Sequence, residues 1–265
     1  MALRSALINV MVAAAQKTSR KLLRDFGELE NLQVSQKGPA DFVSSADKTA
    51  EDTLRRELKK ARPNFGFLLE ESGEIEGQDT SNRWVIDPLD GTTNFLHGIP
   101  HFAISICLER DGEPYAGVIY QPVHDEMFWA EKGQGAFLNG NRLRVSGRSK
   151  LEDSVFATGI PLRGAPNHSE FISRLQNIMN VSGGVRRSGS AALDLAYVAA
   201  GRLDGYWEDR LNAWDIGAGI VLVREAGGYV TDVDGGASMM KSGNVVAAND
   251  RLHTAFRKVL RDSGK

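Results

Sequence analysis

The chain has 265 residues, of which 42% are hydrophobic and 25% charged, and its formal net charge is −2. Such a chain can bury a sizeable core, and its near-neutral charge excludes a broad basic surface for nucleic acid or an anionic membrane. The single cysteine, Cys107, excludes an internal disulfide, and we expect a cytoplasmic protein.

The N-terminal segment is predicted to form an amphipathic helix. Its apolar residues fall on one helical stripe, which consists of Leu3, Leu7, Val10, Met11 and Ala14. Basic residues follow this stripe. The segment loosely imitates a secretory signal or a transit peptide, but Asn9 interrupts the apolar run, which favours an ordinary first helix. No apolar run is long enough to span a bilayer, so we expect no membrane association.

Helical and strand patterns alternate along the rest of the first half. Residues 33–41 predict a polar loop, residues 50–61 a helix, residues 65–69 a strand and residues 72–82 a second polar loop. Strands then dominate from Trp84 to about Val145. Turns are predicted at Asp111-Gly112 and Asn139-Gly140, because such dipeptides favour hairpins.

The second half alternates again. Helices are predicted at residues 170–179, 191–200, 216–226 and 252–260, and strands near residues 155–158, 229–231 and 245–248. Gly201 stands where a glycine commonly follows a helix end. The pattern predicts mixed α and β structure, with sheets covered by helices. We expect one domain over residues 1–265 with two loosely distinct halves, about 1–145 and 146–265.

The stretch from Trp84 to Asn94 carries the strongest chemical signal. A strand runs into Asp87, and Asp90 lies three residues on, with Pro88 restricting the backbone between them. The two carboxylates and the Leu89 carbonyl are hard oxygen ligands of the kind that Mg²⁺ requires. A helical start at Gly91-Thr92-Thr93 would offer backbone amides to a phosphate. The alternative for such an acidic pair is a solvated Asx-turn.

Other acidic residues have two explanations each. Glu70 and Glu71 are adjacent, so in an extended chain they point to opposite sides and cannot share one role. Asp47 and Asp215 stand at helix starts, where a capping role competes with a functional one. Glu208 is either a solvated acid or a ligand for hydroxyl groups. Ser190, near another helix start, is either an N-cap or a contact for substrate.

Three blocks together resemble the signatures of the inositol monophosphatase family: Glu70-Glu71-Ser72, Asp87-Pro88-Leu89-Asp90-Gly91-Thr92-Thr93-Asn94, and Trp214-Asp215 with Gly217-Ala218-Gly219. Residues 133–140 and 187–192 are also similar to family segments, so the resemblance extends over nearly the whole chain. It is closest to the bacterial extragenic-suppressor branch. The resemblance implies an α+β fold, the layered αβαβα sandwich of the superfamily that also contains fructose-1,6-bisphosphatase.

The resemblance also implies two to three Mg²⁺ ions. One would be held by Glu70, Asp87 and the Leu89 carbonyl, and a second by Asp87, Asp90 and Asp215. A third, weaker ion would be held by Glu70 through water. Asp47 and Thr92 would form a hydrogen-bonded pair that, with Glu70, orients the attacking water. Lys37 would lie in a loop that helps to close the site.

The implied substrate-binding residues are Asp90, Gly91, Thr92, Gly189, Ser190, Ala191, Glu208 and Asp215. Among them, the backbone amides of Gly91 and Thr92 would contact the phosphate. Four further residues match family positions that contact the hydroxyl groups of the substrate: Gly189, Ser190, Ala191 and Glu208.

The implied function is Mg²⁺-dependent hydrolysis of small phosphomonoesters, foremost myo-inositol 1-phosphate, by direct attack of a metal-activated water. The resemblance also leads us to expect inhibition by lithium and a homodimer. One alternative is a related sugar phosphatase for fructose 1,6-bisphosphate or histidinol phosphate. A haloacid-dehalogenase-type phosphatase is disfavoured, because two residues rather than one separate Asp87 from Asp90.

A regulatory partner of RNA polymerase and antitermination factors is an alternative from another class. Arg186-Arg187 is similar to a segment of bacterial suppressor-type relatives with that role. The competing explanation for this pair is two solvated basic side chains.

Overall fold

The computed structural model describes residues 3–29, 34–38, 41–161 and 163–262, and of residues 34–38 and 41–43 it describes the backbone alone. The helices in these ranges are α1 Ala6–Gly27, α2 Ser45–Ala61, α3 Thr92–Leu96, α4 His168–Met179, α5 Ala191–Ala199, α6 Ala213–Glu225, α7 Met239–Ser242 and α8 His253–Arg261. The strands are β1 Val34–Gly38, β2 Asp41–Ser44, β3 Phe65–Leu69, β4 Gly73–Ile75, β5 Asp79–Asp90, β6 Ala103–Arg110, β7 Glu113–Gln121, β8 Glu126–Glu131, β9 Gly135–Leu138, β10 Asn141–Arg142, β11 Val155–Thr158, β12 Gly184–Arg186, β13 Gly205–Glu208, β14 Tyr229–Thr231 and β15 Val245–Ala248.

Two mixed sheets form the framework. The larger has eight strands in the order β10-β9-β8-β7-β6-β5-β3-β4, with β3 and β5 parallel and its other pairs antiparallel. The smaller has five strands in the order β12-β11-β13-β15-β14. Strand β11 runs parallel to both of its neighbours, while β15 runs antiparallel to both of its neighbours.

The elements stack in five layers, and three apolar clusters fill the spaces between them, the central one reaching from α5 and α6 to both sheets. Helices α1 and α2 cover one face of the eight-stranded sheet. Helices α5 and α6 lie between the two sheets, and α4 and α8 cover the outer face of the five-stranded sheet. Alternation along β6 shows how one strand serves two interfaces: Ile104 and Ile106 face α1 and α2, whereas Ala103 and Cys107 face α5 and α6. The predicted αβαβα sandwich is therefore confirmed.

The small residues after Trp214 allow α6 to pack closely in the central layer. A Cβ added to Gly219 would lie 2.5 Å from the Leu195 Cβ on α5, and one added to Gly217 would lie 3.1 Å from Cys107. Cys107 is fully buried, and burial raises the pKa of its thiol. A larger residue at Gly219 would push apart two helices that begin at the cavity described below.

Several local predictions are confirmed and others are wrong. Gly201 follows α5 with a φ of +67°, and Asp111-Gly112 and Asn139-Gly140 are turns with positive φ at both positions. The predicted polar loops are wrong in part. Most of residues 33–41 belong to a β1–β2 hairpin, and β4 and the start of β5 occupy much of 72–82. Short polar strands lack the apolar alternation on which the prediction relied.

Some predictions find no test here. Lys37 lies on β1, but its side chain lies outside the described residues, so its role in closing the site stays a prediction. The division into halves near residue 145 also stays a prediction. Within the described ranges, none of the helices combines the length and apolar character needed to cross a bilayer.

Candidate active site

The central acidic motif lies on an interruption of the larger sheet. Asp87 pairs with Ser105 and Asp90 with Ala103, so the β5 strand contains one more residue here than its partner β6. Such an extra residue is a β-bulge, which bends a strand and re-aims its side chains. The predicted turn after Ile86 is therefore a bulge within one long strand. The Leu89 amide donates to Asp87 Oδ1 (2.8 Å), as in an Asx-turn, but Asp87 is only 3% exposed, which excludes the solvated alternative.

Gly91 begins the turn that leads from the bulge into α3. Its φ is +97°, and an added Cβ would lie 3.1 Å from the His101 carbonyl oxygen and 3.2 Å from that of Gly189. Both the conformation and the space require glycine. The Asn94 side-chain amide donates to the carbonyls of His101 (2.7 Å) and Ser188 (2.9 Å). This turn is thereby fixed against the loop before α5.

The predicted pair of Asp47 and Thr92 is present. The Thr92 hydroxyl lies 3.0 Å from Asp47 Oδ1 and 3.1 Å from the Leu89 carbonyl oxygen. Asp47 also completes the capping box of α2, where the Ser44 amide donates to Asp47 Oδ2 at 2.8 Å. Burial raises the pKa of Asp47, and its hydrogen bonds with Ser44 oppose that rise. The capping explanation and the pairing with Thr92 therefore hold together.

Glu51 is a buried acid next to the site that the sequence prediction missed. It lies one helical turn after Asp47 on α2 and is 2% exposed. Its Oε2 accepts a hydrogen bond from the Glu71 amide (2.8 Å), and its Oε1 accepts one from the Ser72 hydroxyl. Glu51 therefore fixes the turn that carries Glu70. The available signal was its i, i+4 spacing from Asp47, which places both acids on one helix face.

Asp90 and Asp215 are each tied to the start of a central helix. The Asp215 carboxylate accepts from the Asn212 amide (2.7 Å) and completes the capping box of α6. Asp90 Oδ2 accepts from the Ala192 amide (2.8 Å) and from the Ser190 hydroxyl, which links β5 to α5. Ser190 is also the N-cap of α5, as its alternative explanation proposed.

These elements surround a cavity of about 440 Å³. Nine of the predicted site residues border it: Glu70, Asp90, Gly91, Thr92, Gly189, Ser190, Ala191, Glu208 and Asp215. The other three, Asp47, Asp87 and Leu89, are at most 3% exposed and lie behind its surface. Asp47 and the Leu89 carbonyl lie within hydrogen-bond distance of the Thr92 hydroxyl. Asp87 interacts through its charge with acids that border the cavity. The structure therefore brings all three signature blocks to one place.

The acidic groups near this cavity destabilise one another's charged forms. Burial raises the pKa of Asp87, and the charges of Glu70, Asp90 and Asp215 raise it further. Burial also raises the pKa of Asp90 to about 6, against the hydrogen bonds from Ser190 and Ala192. Burial and the charge of Asp90 raise the pKa of Asp215. A cation among these groups would relieve the repulsion, and carboxylate and carbonyl oxygens suit Mg²⁺ in kind.

In the part of the chain that the structure describes, no group of three or more Asp, Glu, His or Cys side chains is arranged so that it could hold a metal ion. The charges of Glu70, Asp90 and Asp215 nevertheless act on Asp87 and raise its pKa. The donors therefore fit Mg²⁺ in chemistry, and the exact ligand set stays a prediction.

Glu208 lies on β13 beside the same cavity. Burial raises its pKa to about 7, although the Tyr206 hydroxyl donates a hydrogen bond to its Oε2. Gly159 makes room for this side chain, because a Cβ there would fall 1.9 Å from Glu208 Oε1. The sequence prediction missed Gly159, and nothing in the residues around it indicates the role. It also missed Asp194, a buried acid on α5 that borders the cavity.

Comparisons with known proteins show the family to which the chain belongs. The model of the inositol monophosphatase family matches residues 3–265. The inositol-1-monophosphatase of Mesorhizobium japonicum is 59% identical over 258 residues, covering 97% of each chain. Nus factor SuhB of Escherichia coli is 44% identical over 256 residues, covering 97% of this chain and 96% of SuhB. The crystal structure of extragenic suppressor protein suhB from Bartonella henselae is 57% identical with a TM-score of 0.94, covering 97% of this chain and 99% of that chain. The chain therefore belongs to the inositol monophosphatase family, a class of phosphoric monoester hydrolases.

Proposed function

We propose that the protein is a Mg²⁺-dependent phosphatase for small phosphorylated polyols, foremost myo-inositol 1-phosphate. The observation that carries this proposal is a cavity bordered both by the acidic groups Glu70, Asp90 and Asp215 and by the Gly91-Thr92 turn. The half-buried Glu208 supplies a hydroxyl acceptor in the same cavity. A close relative named inositol-1-monophosphatase supports the choice of substrate.

We assign two to three Mg²⁺ ions to the oxygens of Glu70, Asp87, Leu89, Asp90 and Asp215. When bound, Mg²⁺ would neutralise the phosphate dianion, lower the pKa of water and stabilise the leaving alkoxide. The phosphate itself would be held by the backbone amides of Gly91 and Thr92, which precede or begin α3 and have no partner within the helix. Burial of the acids behind the cavity keeps their oxygens fixed for this task.

The residues of the chain orient the attacking water. Because an ionised Asp47 accepts the hydroxyl proton of Thr92, the Thr92 oxygen presents a lone pair and accepts a hydrogen bond from water. Glu70 accepts the other proton of that water. The remaining lone pair of the water then attacks phosphorus as the ester P–O bond breaks. The leaving oxygen ends with a proton, so the products are inositol and hydrogen phosphate.

Phosphate release from inositol 1-phosphate tests this function directly. We expect release with Mg²⁺, none with EDTA, and a loss of release in Asp90→Asn. The matched control is Asp52→Asn, because Asp52 is an exposed acid on α2. Release that is unchanged by EDTA or by Asp90→Asn would contradict the metal assignment. If the wild type released no phosphate from inositol 1-phosphate, fructose 1,6-bisphosphate or histidinol phosphate, the proposal would fail.

A second candidate function is regulatory binding to RNA polymerase or antitermination factors. It is favoured by the 44% identity to a protein named Nus factor SuhB. Arg186 and Arg187 are both exposed, but Arg187 also borders the cavity. Charge reversal at Arg187 would therefore disturb both candidate functions, and Arg186 is the better test of binding.

We expect Arg186→Glu to weaken co-purification with RNA polymerase and to leave phosphatase activity unchanged. Asp87→Asn should have the opposite effect on the two assays. If both substitutions abolished both properties, the two functions would not be separable. A homodimer, a cytoplasmic location and inhibition by lithium remain predictions from the family resemblance, and light scattering of the purified protein would test the first.

A further inference from the structure

Asp194 is a buried acid beside the cavity that none of the signature blocks explains. It lies in the first turn of α5 and is 1% exposed. It borders the cavity, and its Oδ1 atom is buried without a hydrogen-bond partner. Buried carboxylate oxygens are nearly always paired, and leaving one unpaired costs about 1–3 kcal/mol.

The residues around Asp194 do not offset the cost of its unpaired oxygen. Burial raises the pKa of Asp194, and the charges of the acids Glu208 and Asp90 raise it further. The Ser188 hydroxyl and the charge of Arg187 offset this only in part. The other buried residues of α5 are alanine, leucine and valine, so the packing of the helix does not require an acid here. An acid retained against these costs at a cavity points to a ligand.

We infer that Asp194 is a specificity-determining residue that accepts a hydrogen bond from a hydroxyl group of the substrate. This inference rests on the proposed function and deepens it. A carboxyl group accepts hydrogen bonds in either protonation state, and in the ionised state Asp194 and Glu208 would both repel a phosphate dianion. The polyol part of the substrate therefore occupies this region, with Asp194 and Glu208 as two separate acceptors. The substrate class is a phosphorylated polyol, in contrast to aryl and simple alkyl phosphates.

The test compares two substrates in two variants. Inositol 1-phosphate carries free hydroxyls, and phenyl phosphate carries none. Asp194→Asn and Asp194→Leu should lower kcat/KM for inositol 1-phosphate by about tenfold or more, mainly through KM, because the hydrogen bond from the substrate hydroxyl is weakened in the Asn variant and lost in the Leu variant. Both variants should stay within about twofold of the wild type on phenyl phosphate. Thermal unfolding confirms that each variant folds, and the near-isosteric Asn variant carries the test if Leu is not tolerated.

Monodeoxy analogues of inositol 1-phosphate identify the hydroxyl. For the analogue that lacks the group bound by Asp194, the wild type and Asp194→Asn should have the same kcat/KM. Equal losses on inositol 1-phosphate and phenyl phosphate, or no loss on either, would overturn the inference while leaving the phosphatase function intact. A wild type that hydrolysed neither substrate would instead overturn the proposed function, and this inference with it.

Discussion

Two parts of the cavity surface are built in different ways. The acids of the motif wall, defined as Asp47, Asp90 and Asp215, each complete a hydrogen bond at the start of a helix. The polyol wall is defined as Gly159, Asp194 and Glu208. Here Asp194 is buried, and Glu208 accepts from the Tyr206 hydroxyl in the space that Gly159 leaves. The motif wall therefore supports the fold and the proposed chemistry at once. The polyol wall reduces stability, and its residues are best explained by a ligand.

The largest expected effect tests whether Asp47 and Thr92 act as one unit in the motif wall. Thr92→Val should lower kcat by about 10²–10³-fold, because the attacking water loses a positioned acceptor. Asp47→Asn should lower it by a similar factor, and the double variant should lose little more, since both act through one hydrogen bond. Steady-state kinetics of the three variants measures this.

The control is Thr53→Val on α2, whose hydroxyl donates to the Thr49 carbonyl outside the cavity. It should keep wild-type kinetics. Losses from Thr92→Val and Asp47→Asn that multiply in the double variant would show that the two residues act independently.

The next effect concerns the cost of Glu208 in the polyol wall. Its pKa is about 7 in the folded protein against 4.5 in the unfolded chain. The cost of ionising it is thus absent below pH 4.5, grows as pH rises, and is complete above pH 7. Glu208→Gln should therefore gain stability relative to the wild type between pH 5 and pH 8, by up to about 3 kcal/mol, since one pKa unit corresponds to about 1.4 kcal/mol.

Thermal unfolding of both proteins in EDTA at the two pH values measures this difference. The charged neighbours Asp90, Asp209 and Arg187 are the same in both proteins, so they largely cancel in the comparison. A stability difference that did not change with pH would contradict the assignment of the raised pKa to Glu208.

The contrast between the walls explains which residues could be predicted from sequence. The motif wall follows from short contiguous patterns, such as the strand before Asp87 and the helix after Trp214, and the family resemblance of these patterns implied the layered fold. The bulge in β5 was missed because strand register depends on the neighbouring strand, which a local pattern does not contain. Gly159 and Asp194 were missed because their meaning comes from side chains distant in sequence. Glu51 was missed although it could have been predicted, because its helical spacing from Asp47 is visible in the sequence.

A smaller effect tests the support beneath the motif wall. Glu51→Gln replaces one of two accepting oxygens with an NH₂ group, so only one of the hydrogen bonds from the Glu71 amide and the Ser72 hydroxyl keeps its acceptor. We expect a loss of about 2 kcal/mol in the free energy of unfolding, with a lower kcat because the turn also carries Glu70. The matched control is Glu57→Gln on the same helix, whose exposed ion pair with Lys17 should contribute less than about 1 kcal/mol. If urea unfolding showed equal losses of unfolding free energy in the two variants, Glu51 would have no special role in supporting the site.

The smallest predicted effect tests the position of the Glu208 side chain in the polyol wall while its charge is kept. Gly159→Ala places a methyl group where the Glu208 carboxylate lies, so that side chain must move while its charge remains. We expect KM for inositol 1-phosphate to rise about tenfold, the cost of one misplaced hydrogen bond, with kcat and the hydrolysis of phenyl phosphate nearly unchanged. Adding Glu208→Gln to Gly159→Ala should then cost little more. If the two changes multiplied instead, Gly159 would act on the substrate directly, and the polyol wall would hold three independent contacts.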